Sequence, residues 1–191
     1  MTTKLSLDDQ NLLLTTARNA IQAELNQEER MAPSLDDYPA ILQEKGACFI
    51  TIKKKGVLRG CVGSIEAIQP LIEDVRSRAV AAAFQDPRFP PLEILELEEI
   101  SIEISRLTPP GRLIYKTPED LIDQLRPGID GVILGYLSHR ATFLPQVWEQ
   151  LPDPEIFLNR LCLKMGLDQS IWRTASLKVE TYQVEKFQEL D

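Results

Sequence analysis

The sequence predicts an α+β fold built on antiparallel sheet, and three observations predict it. Two stretches read as β-hairpins, one turning at Lys55-Gly56 and one around Ser138-His139. Ile100, Ile102 and Ile104 alternate with Ser101, Glu103 and Ser105, which describes a strand with one face to a core and one to water. Helical stripes fall between these strands in the order α-β-β-α-β-α-β-β-α-β, so hairpins with helices to one side are expected, not a doubly wound parallel sheet.

Each element has its own local reason. Ser6 caps a helix that carries Asp8 and Asp9 at its positive end and places Leu13, Ala17, Ala20 and Ile21 on one face to about Asn26. The next twenty residues, with Pro33 and Pro39, read as an irregular connection. Ala47 to Lys53 and Val57 to Val62 form the first hairpin. Pro70 opens a helix whose buried stripe is Ile72, Val75, Ala79, Ala82 and Ala83, and Asp86-Pro87 ends it. Alanines 81 to 83 imply close packing against a neighbour. Thr117-Pro118-Glu119-Asp120 and Asp153-Pro154-Glu155 start two further helices, the second closed by Gly166. Val132 to Leu137 and Ala141 to Leu144 are the second hairpin. Leu177 to Phe187 reads as one final strand, with a bulge where its alternation slips near Thr181-Tyr182.

The chain has 191 residues, of which 43% are hydrophobic and 26% charged, an ordinary globular composition for one domain. Its net charge of −8, from 21 basic and 29 acidic residues, repels phosphate backbones and argues against general nucleic-acid binding. Lys53, Lys54 and Lys55 with Arg59 read as a solvated hairpin tip, a small anion-binding patch being the alternative. Residues 1–10 lack the apolar segment of a leader, and no apolar run approaches the roughly 20 residues that span a bilayer, so a cytoplasmic protein with no membrane contact is expected. Cys48, Cys61 and Cys162 are odd in number and widely spaced, and read as reduced thiols.

Two segments carry the candidate chemistry. In Leu58-Arg59-Gly60-Cys61-Val62-Gly63-Ser64, two glycines bracket a cysteine, and a glycine inside a strand marks a bulge or a close backbone approach. Strand alternation places Arg59 on the face of Cys61, where a guanidinium stabilises a thiolate nucleophile without a histidine. The competing reading is packing, because free cysteine behaves as a small buried hydrophobe. With Lys55-Gly56 as a two-residue turn, Ile50 faces Cys61 and Cys48 lies diagonal to it, a possible redox pair that a one-residue slip removes. In Asp86-Pro87-Arg88-Phe89-Pro90-Pro91, three prolines make either a rigid linker or a preorganised wall presenting Asp86, Arg88 and Phe89 to a ligand. One histidine, His139, and no CxxC or HExxH give no expected metal centre and imply no cofactor.

LRGCVGSI (58–65), AAAFQDPRFPPL (81–92), ISIEIS (100–105), LRPGIDGVIL (125–134), RATFLPQVWEQL (140–151) and FLNRLCLKMGL (157–167) together resemble the AMMECR-type domain family, whose bacterial and archaeal members are called AmmeMemoRadiSam system protein A. The likeness runs from about Ala47 to Phe187, with the family's LRGCIG motif on Leu58 to Gly63 and Val62 in place of isoleucine. It implies one domain of two unequal lobes around a cleft. With Thr108-Pro109-Pro110-Gly111 as the internal boundary, the main lobe is expected over about 1–110 plus 170–191 and the smaller over about 112–165. The resemblance also implies association with a Memo-like protein and a radical S-adenosylmethionine protein, and establishes no reaction. Two functions compete. One is a cysteine-dependent enzyme or modifier of a small molecule or peptide, with Cys61 as nucleophile beside Arg59. Gly60, Gly63, Ser64, Asp86, Arg88 and Phe89 would line its binding site, and Glu66, His139 or water would serve as base. The other is a non-catalytic adaptor that binds a ligand or protein.

Overall fold

The computed structural model describes residues 4–27 and 33–189. Along the chain run α1 (Leu7–Leu25), α2 (Ala40–Gln43), β1 (Lys45–Lys54), β2 (Val57–Gly63), β3 (Gln69–Pro70), α3 (Leu71–Phe84), β4 (Ile100–Leu107), β5 (Gly111–Leu113), α4 (Pro118–Gln124), β6 (Gly131–Tyr136), β7 (His139–Phe143), α5 (Pro154–Lys164), α6 (Ile171–Thr174), β8 (Lys178–Tyr182) and β9 (Val184–Gln188). The fold is α+β, and every pairing whose register is resolved is antiparallel. The chain divides into two units, residues 1–108 with 185–191 and residues 109–184.

The first unit is a sheet in the order β2-β1-β4-β9, with β3 paired to the start of β1. Its core lies on one face of that sheet. Leu13, Ala17 and Ile21 of α1 and Ile72, Val75, Ala79 and Ala82 of α3 cover Cys48, Ile50 and Ile52 of β1 and Ile100, Ile102 and Ile104 of β4. Ser6 caps α1 in a capping box with Asp9, so the local signal and the tertiary burial agree. Helix α3 is anchored by Asp74, a wholly buried carboxylate that accepts from the Cys48 N–H at 2.9 Å, Ser64 Oγ at 3.1 Å and Gln69 Nε2 at 3.0 Å, and pairs with Arg78 at 3.3 Å. One carboxylate thereby ties the helix to β1 and to the loop after β2.

The second unit is a sheet in the order β5-β8-β6-β7. Its core gathers Leu121 of α4, Val132 and Leu134 of β6, Phe157 and Leu161 of α5, Trp172 of α6 and Val179 of β8. Trp148 stacks on Phe157 with ring centroids 3.7 Å apart. Thr117 and Asp153 cap α4 and α5 through Asp120 N–H and Ile156 N–H, with Pro118 and Pro154 in the first turns.

Four expectations change. The connection after α1 is not wholly irregular, because a 3-10 turn (Leu35–Asp37) and α2 form within it; residues 28–32 of that stretch lie outside the described residues. The final strand is two strands: β8 joins the second sheet and β9 the first, with a break at Gln183 in place of the bulge expected near Thr181-Tyr182. The second unit consequently reaches to Val184. The face of β4 expected to meet water is largely covered, with Glu103 and Ser105 buried, because β4 is an interior strand and two lysines close over Glu103. The first hairpin carries a bulge: Lys53 pairs with Leu58 but Ile52 pairs with Gly60, leaving Arg59 as the extra residue.

Candidate functional site

The bulge decides what Cys61 faces. Thr51, not Ile50, lies opposite Cys61, so Cys61 is on the face of the sheet turned away from α1 and α3. Cys48 is on the other face, wholly buried, with its thiol 3.4 Å from Asp74. The sulfurs lie on opposite sides of the sheet, and a Cys48–Cys61 redox pair is ruled out. All three cysteines are free thiols, and Cys61 alone is not buried. Burial, with the negative charge of Asp74 adding to it, pushes the Cys48 thiol well up. Burial also raises Cys162, to about 11.

Gly60 and Gly63 are explained by close packing. A Cβ on Gly60 would lie 2.1 Å from the carbonyl oxygen of Ala82, so the strand lies directly against the backbone of α3. This is the close approach that the alanine run forecasts. A Cβ on Gly63 would lie 2.3 Å from the Phe49 ring and 2.5 Å from the Cys48 carbonyl oxygen. Ser64 also serves the framework, with its hydroxyl donating to Asp74.

Arg59, expected beside Cys61, is engaged by other partners. Displaced by the bulge, it donates to Glu96 at 2.9 and 3.1 Å and to the carbonyls of Pro90 and Pro91 at 2.8 and 3.2 Å. The Arg59 hydrogen bond, helped by the Glu93 N–H and by Lys54 and opposed by desolvation, holds the Glu96 carboxyl at about 2. Lys54 and Lys55 also pair with acids, Glu96 and Glu99, so that side of the hairpin tip is neutralised and is not an anion patch.

The guanidinium beside Cys61 is that of Arg88. Asp86, reached from the far end of α3, accepts the Cys61 N–H at 2.9 Å. Arg88 grips Asp86 bidentately at 2.9 and 2.6 Å and lies 3.4 Å from the Cys61 carbonyl. The outward N–H and C=O of Cys61, on an edge strand, therefore meet a side-chain ion pair in place of a neighbouring strand. Arg88's hydrogen bonds hold the Asp86 carboxyl well below its usual range, with the backbone N–H groups of Cys61 and Arg88 adding to this. Phe89 stacks under the guanidinium, with its centroid 5.4 Å away. Cys61, Asp86, Arg88 and Phe89 are thus brought together. Arg59 is held by the same 86–96 loop through a separate acid.

Sequence reasoning missed the row beside Cys61. Thr51 donates to Cys61 Sγ at 3.4 Å. Across β1, Thr51 faces Glu103 of β4. Glu103 is held between Lys53 and Lys186, each at 2.9 Å. Burial pushes the Glu103 carboxyl up, but the hydrogen bonds from Lys186 and Lys53 outweigh it and the net shift is downward. The alternations Phe49-Thr51-Lys53 and Ser101-Glu103-Ser105 marked this second face; the pairing that aligns them was not readable. Of the two proposed bases, Glu66 is in the exposed loop after β2, and His139 opens β7 in the second unit with Nδ1 3.1 Å from the Met165 carbonyl. Among the described residues no group of three His, Cys, Asp or Glu is arranged to hold a metal ion, and no helix is long and apolar enough to cross a membrane.

The comparisons with known proteins agree with the motif blocks. The family model AMMECR1 matches residues 14–187, a span that runs through both units. A protein of Thermofilum pendens is 39% identical over 197 residues, covering 97% of this chain and 92% of that one. One from Methanothermobacter thermautotrophicus is 37% identical over 186 residues, covering 97% and 96%. The crystal structure of an uncharacterised protein from Pyrococcus horikoshii superposes with a TM-score of 0.73 at 35% identity, over 93% of this chain and 90% of that one. Sequence blocks, whole-length relatives and fold converge, and the chain belongs to the AMMECR1 family.

Proposed function

We propose that this protein is a cysteine-dependent enzyme or modifier in which Cys61 is the nucleophile. The observation that carries the reading is the setting of the Cys61 thiol. It is the one unburied thiol of three, it accepts a hydrogen bond from Thr51, and its backbone is clamped by Asp86 and Arg88. Arg88 is just over half exposed and supplies positive charge beside a developing thiolate. In the reaction Sγ forms a bond to an electrophilic carbon of the substrate, its proton passes to water, and the leaving group departs with the bonding pair. Asp86 is the positioning residue and Arg88 the electrostatic one. Action together with Memo-like and radical S-adenosylmethionine proteins in a cytoplasmic setting belongs to the same proposal and rests on the family resemblance.

A specific observation favours the second reading, a non-catalytic binding module. The Cys61 N–H, which would otherwise face a bound oxyanion, is already taken by Asp86, and both motif glycines serve packing. Native-state alkylation with iodoacetamide separates the two. The enzyme reading expects one fast equivalent on Cys61, slowed by Arg88→Ala. Three slow thiols would leave the binding module.

A further inference from the structure

Glu103 is a buried acid with two bases. It lies at 8% side-chain exposure between Lys53 and Lys186, while those lysines remain 34% and 52% exposed. Each ammonium carries three donors and uses one on Glu103, so both keep donors for a second acceptor. The carboxylate balances only one of the two charges, and the local excess is one positive unit in a protein whose net charge is −8. Two long side chains held by a buried carboxylate lose less conformational freedom on gripping an anion than two free surface lysines would.

The cluster is aligned with the thiol. Cys61, Thr51 and Glu103 are successive cross-strand partners on β2, β1 and β4, all on the face opposite α1 and α3. Neighbouring strands are about 4.8 Å apart, so the lysine cluster lies roughly 10 Å from Cys61 along one row of the sheet. Thr51 is the only side chain between them in that row.

We propose that this face of the sheet binds an extended small molecule with an anionic end, its carboxylate or phosphate held by Lys53 and Lys186 and its other end presented to Cys61. This deepens the nucleophile reading and rests on it for the orientation of the ligand. Binding of the anionic end stands separately. Arg88, paired with Asp86, stands at the sheet edge on the Cys61 side, so discrimination for a negative tail at the far end of the row falls to the lysine pair.

The test uses two thiol reagents of one length, 6-(iodoacetamido)hexanoate and its neutral terminal amide, each spanning roughly the two-strand distance when extended. Loss of iodide and formation of the thioether are followed at Cys61 by mass analysis. The anionic reagent is expected to react about tenfold faster than the amide in the wild-type protein, as a charge-assisted contact supplies. That ratio falls towards one in Lys186→Met and in Lys53→Met, survives in Lys186→Arg, and shrinks as salt is added. Using the ratio cancels any change in intrinsic thiol reactivity. A wild-type ratio near one, or a ratio that both methionine substitutions leave intact, overturns the inference. Unreactive 6-acetamidohexanoate, titrated against its amide while the Thr51 and Glu103 amide resonances are observed, keeps the two proposals apart. Selective shifts with no alkylation support the anion site and sink the nucleophile; no shifts and no reagent preference sink the anion site.

Discussion

Replacing Gly60 with alanine tests the contact that sets the register of the candidate site. The added Cβ would lie 2.1 Å from the Ala82 carbonyl oxygen, against the 3.4 Å at which ordinary contact begins, so strand or helix has to give by about 1.3 Å. Both groups are backbone, and no rotamer change relieves the overlap. Moving α3 away opens gaps along Val75, Ala79 and Ala82 against Ile50 and Ile52, where dispersion contacts are lost. Overpacking of this kind costs about 1–3 kcal/mol, and a backbone-on-backbone clash belongs near 3. For a chain of this size that lowers Tm by roughly 6–12 °C. Both tryptophans, Trp148 and Trp172, lie in the second unit, so their fluorescence does not report on this contact. Urea unfolding followed by far-UV circular dichroism, with amide exchange in β1 and β2, does. Gly111→Ala is the control: its Cβ meets nothing nearer than the Thr181 carbonyl oxygen at 3.9 Å, and it should stay within about 0.5 kcal/mol. A Gly60→Ala protein as stable as that control would refute the packing account of the motif glycines.

Other expected outcomes follow from the buried groups. Asp74→Ala leaves the Cys48 N–H, Gln69 and Arg78 without their shared acceptor and should destabilise by about 3 kcal/mol or more in urea titration; a loss under 1 kcal/mol would contradict its anchoring role. Glu96, held at about 2 against its ordinary 4.5, adds stability that is fully present above about pH 4.5 and is lost as pH falls towards 2. Glu96→Gln should flatten that part of the acid-unfolding curve and cost about 1–3 kcal/mol at neutral pH, since the pair is mostly shielded from water, and an unchanged acid profile would count against the pair. Complete unfolding should release three reactive thiols, because Cys48 and Cys162 are withheld in the native protein by burial, with Asp74 adding to it at Cys48, and not by a disulfide. Rapid reaction of either in folded protein would show that its environment opens.

Local signals carried the elements. The caps at Ser6, Thr117 and Asp153 involve partners three residues away, and the hairpin tip at Lys55-Gly56 is bounded by its own strands. The motif blocks named the family and drew attention to Cys61 and Asp86, and those two residues do meet. The charge reading at the tip was incomplete, because lysines 54 and 55 were visible while the acids that answer them, Glu96 and Glu99, are some forty residues further along.

By itself the sequence determined the α+β class, the antiparallel hairpins, the capped helices, the family and the cysteine motif, since each rests on residues close in the chain or on a pattern of residue types. Only the tertiary structure decided which side of the sheet the cysteine faces. A strand has a side-chain period of two, so the single extra residue at Arg59 turns the row beyond it over. With that residue extra, Gly60 lies directly against Ala82, a contact between strand and helix backbones that no alternation records. The same fit sends Arg59 to Glu96, brings Thr51 to the thiol, and lines Cys61 up with Glu103, whose second lysine arrives from β9 at the far end of the chain.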